Sequence, residues 1–242
     1  MLETFGQNET LTTLQLECPW SLVDEEFKLF GGLKSLRHLK VDGKWQVFPR
    51  AGIEGLSQIP NLETLDFGIG VSDAQLKQDA FDGLLSKMKN LKFIGFVGEG
   101  ISDQMCVEVG QLEQLEVLEI SSRSITDAFV DGLKANPNLK KLNLLRCGIT
   151  DDGAVKLARL FPNLEEIKLS RSFLTAQGVR RLASANLQRL RNAYLPIVER
   201  ESLVEFQKSY PDCNLTLIFV TADGSGVMST AFRYWLNERG PK

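Results

Sequence analysis

The sequence predicts an α/β fold in which a short parallel strand, a turn and a helix repeat along the chain as a right-handed, horseshoe-shaped solenoid. Two observations predict it. An apolar hexamer recurs at a nearly constant spacing, and a helix-start signal follows many of its copies. Each unit has one apolar side that only stacked neighbours can bury, so we expect parallel strands on the concave face and helices on the convex face.

The apolar hexamer has the form Leu-x-x-Leu-x-Leu, with Ile, Val or Phe as substitutes. Its last two apolar positions are two residues apart, so both side chains point to one face of a strand. Successive first leucines are 23 to 29 residues apart, which predicts about eight to nine repeats over residues 1–219. Copies occur at Leu11–Leu16, Leu36–Val41, Leu62–Phe67, Leu91–Phe96, Leu115–Ile120, Leu139–Leu144 and Leu164–Leu169, with weaker copies at Leu187–Asn192 and Leu215–Phe219.

The helix-start signal consists of Ile-Ser-Asp or Ile-Thr-Asp at residues 101–103, 125–127 and 149–151, and of Leu-Thr at 174–175. Side-chain oxygens of Ser, Thr and Asp can accept the free backbone N–H groups of a helix N-terminus, so we interpret these residues as caps. Apolar residues at helical spacing follow each signal. Turns such as Asn-Pro-Asn at 136–138 then lead back to the next strand.

The segment from Leu139 to Ala158 resembles the cysteine-containing class of leucine-rich repeats, which includes the substrate-binding parts of F-box ubiquitin-ligase subunits. The Ile-Thr-Asp-x-Gly units also resemble bacterial repeat proteins. The resemblance implies a leucine-rich-repeat solenoid that binds another protein. One departure is that the position three residues after each strand, usually Asn or Cys, matches only at Cys147. No F-box-like segment precedes Leu11, so this chain alone is not expected to be a complete F-box subunit.

Residues 220–242 are predicted to be a capping segment of the same domain. Within Val227 to Glu238, apolar residues recur at helical spacing, and Gly240-Pro241 follows them. A C-terminal helical cap would cover the open end of the core. A helix that docks on a partner is the alternative.

Composition and charge narrow the function classes. The net charge of −3 gives no overall attraction to nucleic acid or to an anionic membrane surface. No apolar run approaches the roughly 20 residues of a membrane helix, and the polar N-terminus lacks the features of a secretory signal, so we expect a cytoplasmic protein without a membrane span. The four cysteines are widely spaced, which favours buried, reduced thiols over disulfides or a metal site.

Catalytic motifs are missing from the sequence. His38 is the sole histidine, and there is neither a Gly-x-Ser-x-Gly nucleophile motif nor a glycine-rich phosphate loop. The sequence therefore predicts a protein that is not an enzyme and that needs no cofactor.

A candidate partner-binding surface lies on the concave side of the three middle strands. Residues that flank the inward positions should point outward there. We expect the apolar side chains of Phe93, Val97, Val117 and Leu145 to lie side by side, with Glu119, Lys141 and Asn143 around them. Such a cluster can mark an interaction site, and the alternative is a set of scattered surface residues.

A basic patch is predicted near the C-terminal repeats, because residues 168–198 contain no Asp or Glu. We expect Lys168, Arg189 and Arg191 on the concave face and Arg146 and Arg171 at its rim. The patch could bind an acidic protein segment, a phosphate or RNA, or could simply be a solvated face. Nucleic acid is the less favoured ligand, because the net charge is negative and no aromatic residues interleave with the arginines.

The function predicted overall is a non-enzymatic scaffold, favoured as a monomer, that binds another protein through its concave sheet face. The alternatives are the substrate-recognition part of a ubiquitin-ligase-type adaptor, and a binder of an anionic ligand or RNA.

Overall fold

The computed structural model describes residues 8–18, 28–43, 50–67, 81, 83–98, 101–220 and 227–231. Within these residues, nine parallel strands follow one another in chain order in a single sheet, which confirms the predicted α/β solenoid. The strands are β1 (Thr13–Cys18), β2 (His38–Gly43), β3 (Thr64–Phe67), β4 (Phe93–Val97), β5 (Val117–Ser121), β6 (Lys141–Leu145), β7 (Glu166–Lys168), β8 (Asn192–Pro196) and β9 (Asn214–Val220).

Helical segments connect successive strands and pack on one another as a second layer. Neighbouring helices in the second half of the chain contact each other in order. The helices are α1 (Arg50–Leu56), α2 (Met105–Val109), α3 (Asp127–Gly132), α4 (Asp151–Leu160), α5 (Ala176–Ala183) and α6 (Arg200–Ser209), and short 3-10 helices lie at Leu29–Gly32 and Leu85–Lys87.

The hydrophobic core lies between the two layers and is built from the predicted inward positions. Leu118 and Ile120 of β5 pair with Leu142 and Leu144 of β6, and all four side chains are buried. Equivalent residues of each strand therefore stack into apolar columns along the solenoid. Where these positions hold phenylalanine, the rings stack as well, and the centroids of Phe67 and Phe96 are 5.6 Å apart.

The recurring Thr residues cap the helices as predicted. The Thr126 side chain accepts the N–H of Ala128 at the start of α3, and Thr150 and Thr175 do the same for α4 and α5. Each Thr thus satisfies one of the backbone donors that a helix N-terminus leaves free.

The recurring Asp residues have a different role, and their interpretation as caps is wrong. The Asp151 carboxylate accepts the backbone N–H of Thr175 at 2.8 Å and its hydroxyl at 2.6 Å. Asp103 holds Thr126 in the same way. Because donor and acceptor belong to successive repeats, these carboxylates join one repeat to the next.

A glycine three residues after the capping Thr of α4 and of α5 makes room for this carboxylate. A Cβ added to Gly153 would lie 2.0 Å from Oδ1 of Asp127, and one added to Gly178 would lie 2.0 Å from Oδ1 of Asp151. No side chain fits at that distance unless the carboxylate moves. Asp127, Thr150 and Gly153 therefore form one inter-repeat contact.

The register of the eighth strand differs from the prediction. The apolar pattern predicts the hexamer at Leu187–Asn192, but Ala193 pairs with Ile167 of β7, and Ala193 and Leu195 are the fully buried residues of β8. Asn192 instead opens the strand on its outward face. Alanine contributes little to an apolar pattern, which is why the copy was placed three residues too early.

The C-terminal segment also differs from the prediction. Val227–Ala231 is not helical but forms β10, which pairs antiparallel with β9 at the end of the sheet. The last parallel strand would otherwise present unpaired backbone groups at this edge, and β10 satisfies them. Residues 232–242, which complete the predicted helix, lie outside the described residues.

The side chains of two of the four cysteines, Cys147 and Cys213, can be placed, and both are buried. Burial raises the pKa of Cys213 to about 12, so this thiol stays protonated and unreactive at neutral pH. The side chains of Cys18 and Cys106 lie outside the described residues.

Candidate interaction surface

We define the sheet face as the exposed side of β1–β9. The outward residues of the strands form rows that run across this face from repeat to repeat. Strand register aligns the first outward residue of each strand in row 1 and the second in row 2. Row 1 consists of Thr13, His38, Thr64, Phe93, Val117, Lys141, Glu166, Asn192 and Asn214, and row 2 of Gln15, Lys40, Asp66, Gly95, Glu119, Asn143, Lys168, Tyr194 and Thr216.

The predicted apolar residues form two pairs on this face. Phe93 and Val117 are direct neighbours in row 1, and both are half-buried. Val97 and Leu145 are the last residues of β4 and β6, at the other end of the strands from Phe93 and Val117. Ser121 of β5 lies between them. Val97 is 37% exposed. We call Phe93, Val97, Val117 and Leu145 the apolar patch.

The Phe93 ring leans towards the second row. A Cβ on Gly95 would lie 2.9 Å from a carbon of this ring, so the ring covers the gap that glycine leaves in row 2. On the other side, Asp66 Oδ1 would lie 2.7 Å from the same Cβ. Burial raises the pKa of Asp66, although the charge of Lys40 acts against this shift.

The predicted polar residues surround the apolar patch. Glu119 lies beside Gly95 in row 2, while Lys141 and Asn143 of β6 follow Val117 and Glu119 in their rows. Lys141 is exposed, and Glu119 and Asn143 are half-buried. The register thus places all seven residues predicted for partner binding on three adjacent strands. It separates Phe93 and Val117 from Val97 and Leu145, however, so the four apolar side chains do not lie side by side as expected.

The predicted basic patch, in contrast, is not one continuous strip. Lys168 lies in row 2 as expected, but the shifted register of β8 places Tyr194 beside it instead of an arginine. The Lys168 ammonium lies 3.0 Å from Glu166 and 4.7 Å from the centre of the Tyr194 ring. Burial lowers the pKa of Lys168, but the hydrogen bond and charge of Glu166 outweigh that effect, so the net pKa is raised.

Arg189 and Arg191 are not on the rows of the sheet face, so their predicted placement is wrong. Arg189 is exposed in the turn before β8. Arg191 comes directly before row 1, and its backbone N–H donates to Glu165 at 2.8 Å. These two arginines therefore lie apart from Lys168.

Arg191 is the last member of an alternating set of charges at the start of the strands, which we call the charge column. Backbone hydrogen bonds align its members from repeat to repeat. Glu63 pairs with Arg37 at 2.5 Å and Lys92 at 2.8 Å, and Glu116 pairs with Lys140 at 2.6 Å. Hydrogen bonds from Lys92 and Arg37 lower the pKa of Glu63. The column is Arg37, Glu63, Lys92, Glu116, Lys140, Glu165 and Arg191.

The remaining two predicted basic residues lie at the rim, as expected, in the loops that follow β6 and β7. Arg146 and Arg171 occupy equivalent positions, and both have a left-handed backbone, with φ of 60° and 59°. That conformation costs a residue other than glycine roughly 1–2 kcal/mol. Among the described residues, neither guanidinium forms an ion pair.

A groove runs along this rim. It has a volume of about 450 Å³ and is lined by Arg123, Arg146, Cys147, Gly148, Arg171 and Phe173. Sequence reasoning missed Arg123 and Phe173. The prediction that no aromatic residue accompanies the arginines is wrong, since Phe173 lies among them and is 72% exposed. The sequence signal that was overlooked is a phenylalanine at the loop position that holds Gly148 one repeat earlier.

His38 is exposed in row 1, and its Nδ1 lies 2.9 Å from the Thr64 hydroxyl. No group of three or more His, Cys, Asp or Glu side chains in the described ranges could hold a metal ion. In that same part of the chain, no helix has both the length and the apolar character to cross a membrane.

Comparisons with known proteins agree with this architecture. The family model described as "Leucine Rich repeat" matches residues 135–158. The chain is similar to an internalin of Listeria monocytogenes, with 16% identity, a TM-score of 0.55, and coverage of 79% of this chain and 49% of that one. It is also similar to a chain in the Rad7–Elc1 complex of yeast, with 18% identity, a TM-score of 0.60, and coverage of 86% and 56%.

The chain spans about half the length of these two structures. No curated protein sequence matches it. The repeat match, the parallel sheet and these likenesses show a leucine-rich-repeat solenoid. The closer resemblance to F-box-type and Ile-Thr-Asp-x-Gly proteins stays a prediction.

Proposed function

We propose that this leucine-rich-repeat protein is a non-enzymatic interaction scaffold that binds a partner protein through its sheet face. The observation that carries the proposal is the apolar patch at the middle of that face. Phe93 and Val117 are adjacent in row 1, and Val97 lies exposed at the C-terminal end of β4. A partner that covers these side chains removes apolar surface from water, which is the main driving force of association.

The polar residues around the apolar patch supply selectivity. Glu119, Lys141 and Asn143 present an anion, a cation and an amide on neighbouring strands. Charged groups at the edge of an apolar contact steer the partner and disfavour mismatched surfaces more than they add affinity. The preferred partner therefore carries an apolar anchor flanked by charges of both signs.

The test replaces apolar side chains of the patch with lysine, in the variant V97K/V117K. Partners captured from the source cells by the unaltered protein are quantified and then titrated against purified variants. We expect at least about tenfold weaker binding of the sheet-face partner, because two charges would be buried at the contact.

Val107 provides the matched control, since it lies on α2 and is 56% exposed. The V107K variant adds the same kind of charge away from the sheet face and should bind the partner normally. If V107K weakens binding as much as V97K/V117K, or if V97K/V117K retains every partner, the sheet face is not the binding surface.

A narrower form of this proposal is that the partner is a substrate of a ubiquitin-ligase-type machine, with this chain as the recognition part. The fold shared with a chain of the Rad7–Elc1 complex is compatible with it. In that case, ligase components should be captured by the unaltered protein and by V97K/V117K alike, while the substrate is lost only from the variant. Capture of partners that include no ligase component, in repeated experiments, would remove this narrower form.

A further inference from the structure

The rim groove is a second candidate surface, separate from the rows of the sheet face. Its walls come from three successive loops, which place Arg123, Arg146 and Arg171 along one edge of the solenoid. Equivalent positions of neighbouring strands are roughly 4.8 Å apart, so Arg146 and Arg171 are close neighbours. A guanidinium ladder of this kind concentrates positive potential in a protein whose net charge is negative.

The backbone at this groove is strained, and the strain falls on the two arginines. Arg146 and Arg171 both adopt a left-handed conformation that glycine adopts without cost. The Arg146 N–H donates to the Ser170 carbonyl at 3.0 Å, so the loops are tied to each other in this geometry. Strained residues that recur at an exposed site, with side chains engaged in no ion pair among the described residues, indicate that the side chains serve a ligand.

An apolar side chain completes the groove. Phe173 is 72% exposed, and its ring lies across Gly148, where an added Cβ would be 3.7 Å from a ring carbon. An aromatic ring beside two guanidinium groups offers one apolar contact and two bidentate anion contacts.

We propose that the rim groove binds a short acidic peptide segment, with carboxylates on Arg146 and Arg171 and an apolar side chain against Phe173. The segment belongs to a partner protein, and its binding does not require the apolar patch of the sheet face. Arg–carboxylate pairs supply orientation, because the planar guanidinium matches the two carboxylate oxygens.

Charges around the groove favour a short acidic peptide over nucleic acid. Glu119 lies on the sheet side, two residues before Ser121 of β5. Asp127 and Asp151 lie on the helix side at the first turns of α3 and α4. These carboxylates disfavour a polyanion that extends beyond the arginines, so a segment with two or three acidic residues is a better ligand than a long polyphosphate.

The test uses fluorescence anisotropy with a dye-labelled peptide, Gly-Asp-Glu-Leu-Asp-Gly, at low salt. The variant R146G/R171G removes both guanidinium groups and suits the left-handed backbone, so it should fold at least as well as the unaltered protein. The control R189A/R191A removes two arginines outside the groove. We expect R146G/R171G to bind at least about tenfold more weakly and R189A/R191A to change binding by less than about twofold.

Further measurements test the apolar contact with Phe173 and the preference for a peptide over RNA. Replacing Leu by Ser in the peptide, or Phe173 by Ser in the protein, should each weaken binding by about threefold to tenfold. Because both changes remove the same contact, their effects on binding should not be additive when they are combined. A labelled single-stranded RNA of equal charge should bind more weakly than the peptide. Equal loss in R146G/R171G and R189A/R191A, tighter binding of the RNA, or no binding of the peptide would each overturn the proposal.

Discussion

Replacing Gly153 with alanine tests whether the Asp127 carboxylate joins two repeats. The new Cβ would lie 2.0 Å from Oδ1 of Asp127, far inside van der Waals contact. The carboxylate must therefore turn away. It would then lose the bonds that it accepts from the backbone N–H of Thr150, at 2.9 Å, and from the Thr150 hydroxyl.

The expected magnitude follows from two opposing contributions. Losing two hydrogen bonds to a partly exposed carboxylate costs about 1–2 kcal/mol. Alanine in place of glycine stabilises a helix by up to about 1 kcal/mol. G153A should therefore destabilise the unaltered protein by about 1 kcal/mol. In a D127A background the clash is absent, so G153A should stabilise the protein by about 0.5 kcal/mol.

The assay is urea unfolding of the four proteins of this double-mutant cycle, followed by circular dichroism. The sign of the G153A effect should reverse between the two backgrounds, with a coupling free energy of about 1–2 kcal/mol. The pair Asp151 and Gly178 repeats the carboxylate contact one repeat later, but a Cβ on Gly178 would also lie 2.6 Å from a side-chain carbon of Leu174. That pair should therefore reproduce the coupling free energy but not the reversal of sign. Additive effects, or a stabilising effect of G153A in both backgrounds, would show that the Asp127 carboxylate does not join the two repeats through this contact.

Three further predictions concern single contacts. Y210F leaves the buried Leu182 carbonyl without the hydroxyl that donates to it at 2.8 Å, so unfolding should require about 1–3 kcal/mol less free energy, and an unchanged urea midpoint would contradict this. R146G and R171G should each leave stability unchanged or raise it by about 1 kcal/mol, because glycine relieves the positive φ, whereas a lower midpoint would show that the arginines stabilise the loops. Because the folded-state pKa of Glu63 lies below its ordinary value of 4.5, its contribution to stability is present above that pH and is lost as the pH falls through the lowered pKa. The unfolding midpoint of E63Q should therefore fall less at acid pH than that of the unaltered protein. Identical pH profiles of the two proteins would show that Glu63 does not contribute to the pH dependence of stability.

The apolar pattern was sufficient to predict the fold because every inward position of the middle strands is a large aliphatic or aromatic residue. Ile94, Leu118 and Leu142 pair in register, and their burial leaves little freedom in how the repeats stack. The same pattern failed at β8, where a small residue, Ala193, takes the inward position. A pattern based on hydrophobicity does not detect so small a residue. The resulting error in the register of β8 is the reason why Arg189 and Arg191 were predicted on the sheet face.

The seven residues predicted for partner binding were placed correctly on the sheet face because a strand alternates its side chains strictly. Their role in binding stays a proposal. The rim position of Arg146 and Arg171 was predicted, but the shape of the rim groove was not, because loop backbone conformations depend on contacts between repeats. Nothing in the sequence shows that Arg146 and Arg171 share a left-handed conformation or that Phe173 lies across Gly148. The strand β10 was missed for a related reason, since pairing with the open edge of β9 outweighs a helical spacing of apolar residues.

The charge column gives the solenoid a parity. Its signs alternate from one repeat to the next, so odd and even repeats are not interchangeable. Excision of the single repeat that carries Lys92 would make Glu63 and Glu116 neighbours, and like charges on adjacent strands repel. Removal or duplication of two consecutive repeats would keep the alternation intact. In this part of the chain, the smallest unit by which the solenoid can lengthen or shorten without a charge conflict is therefore a pair of repeats.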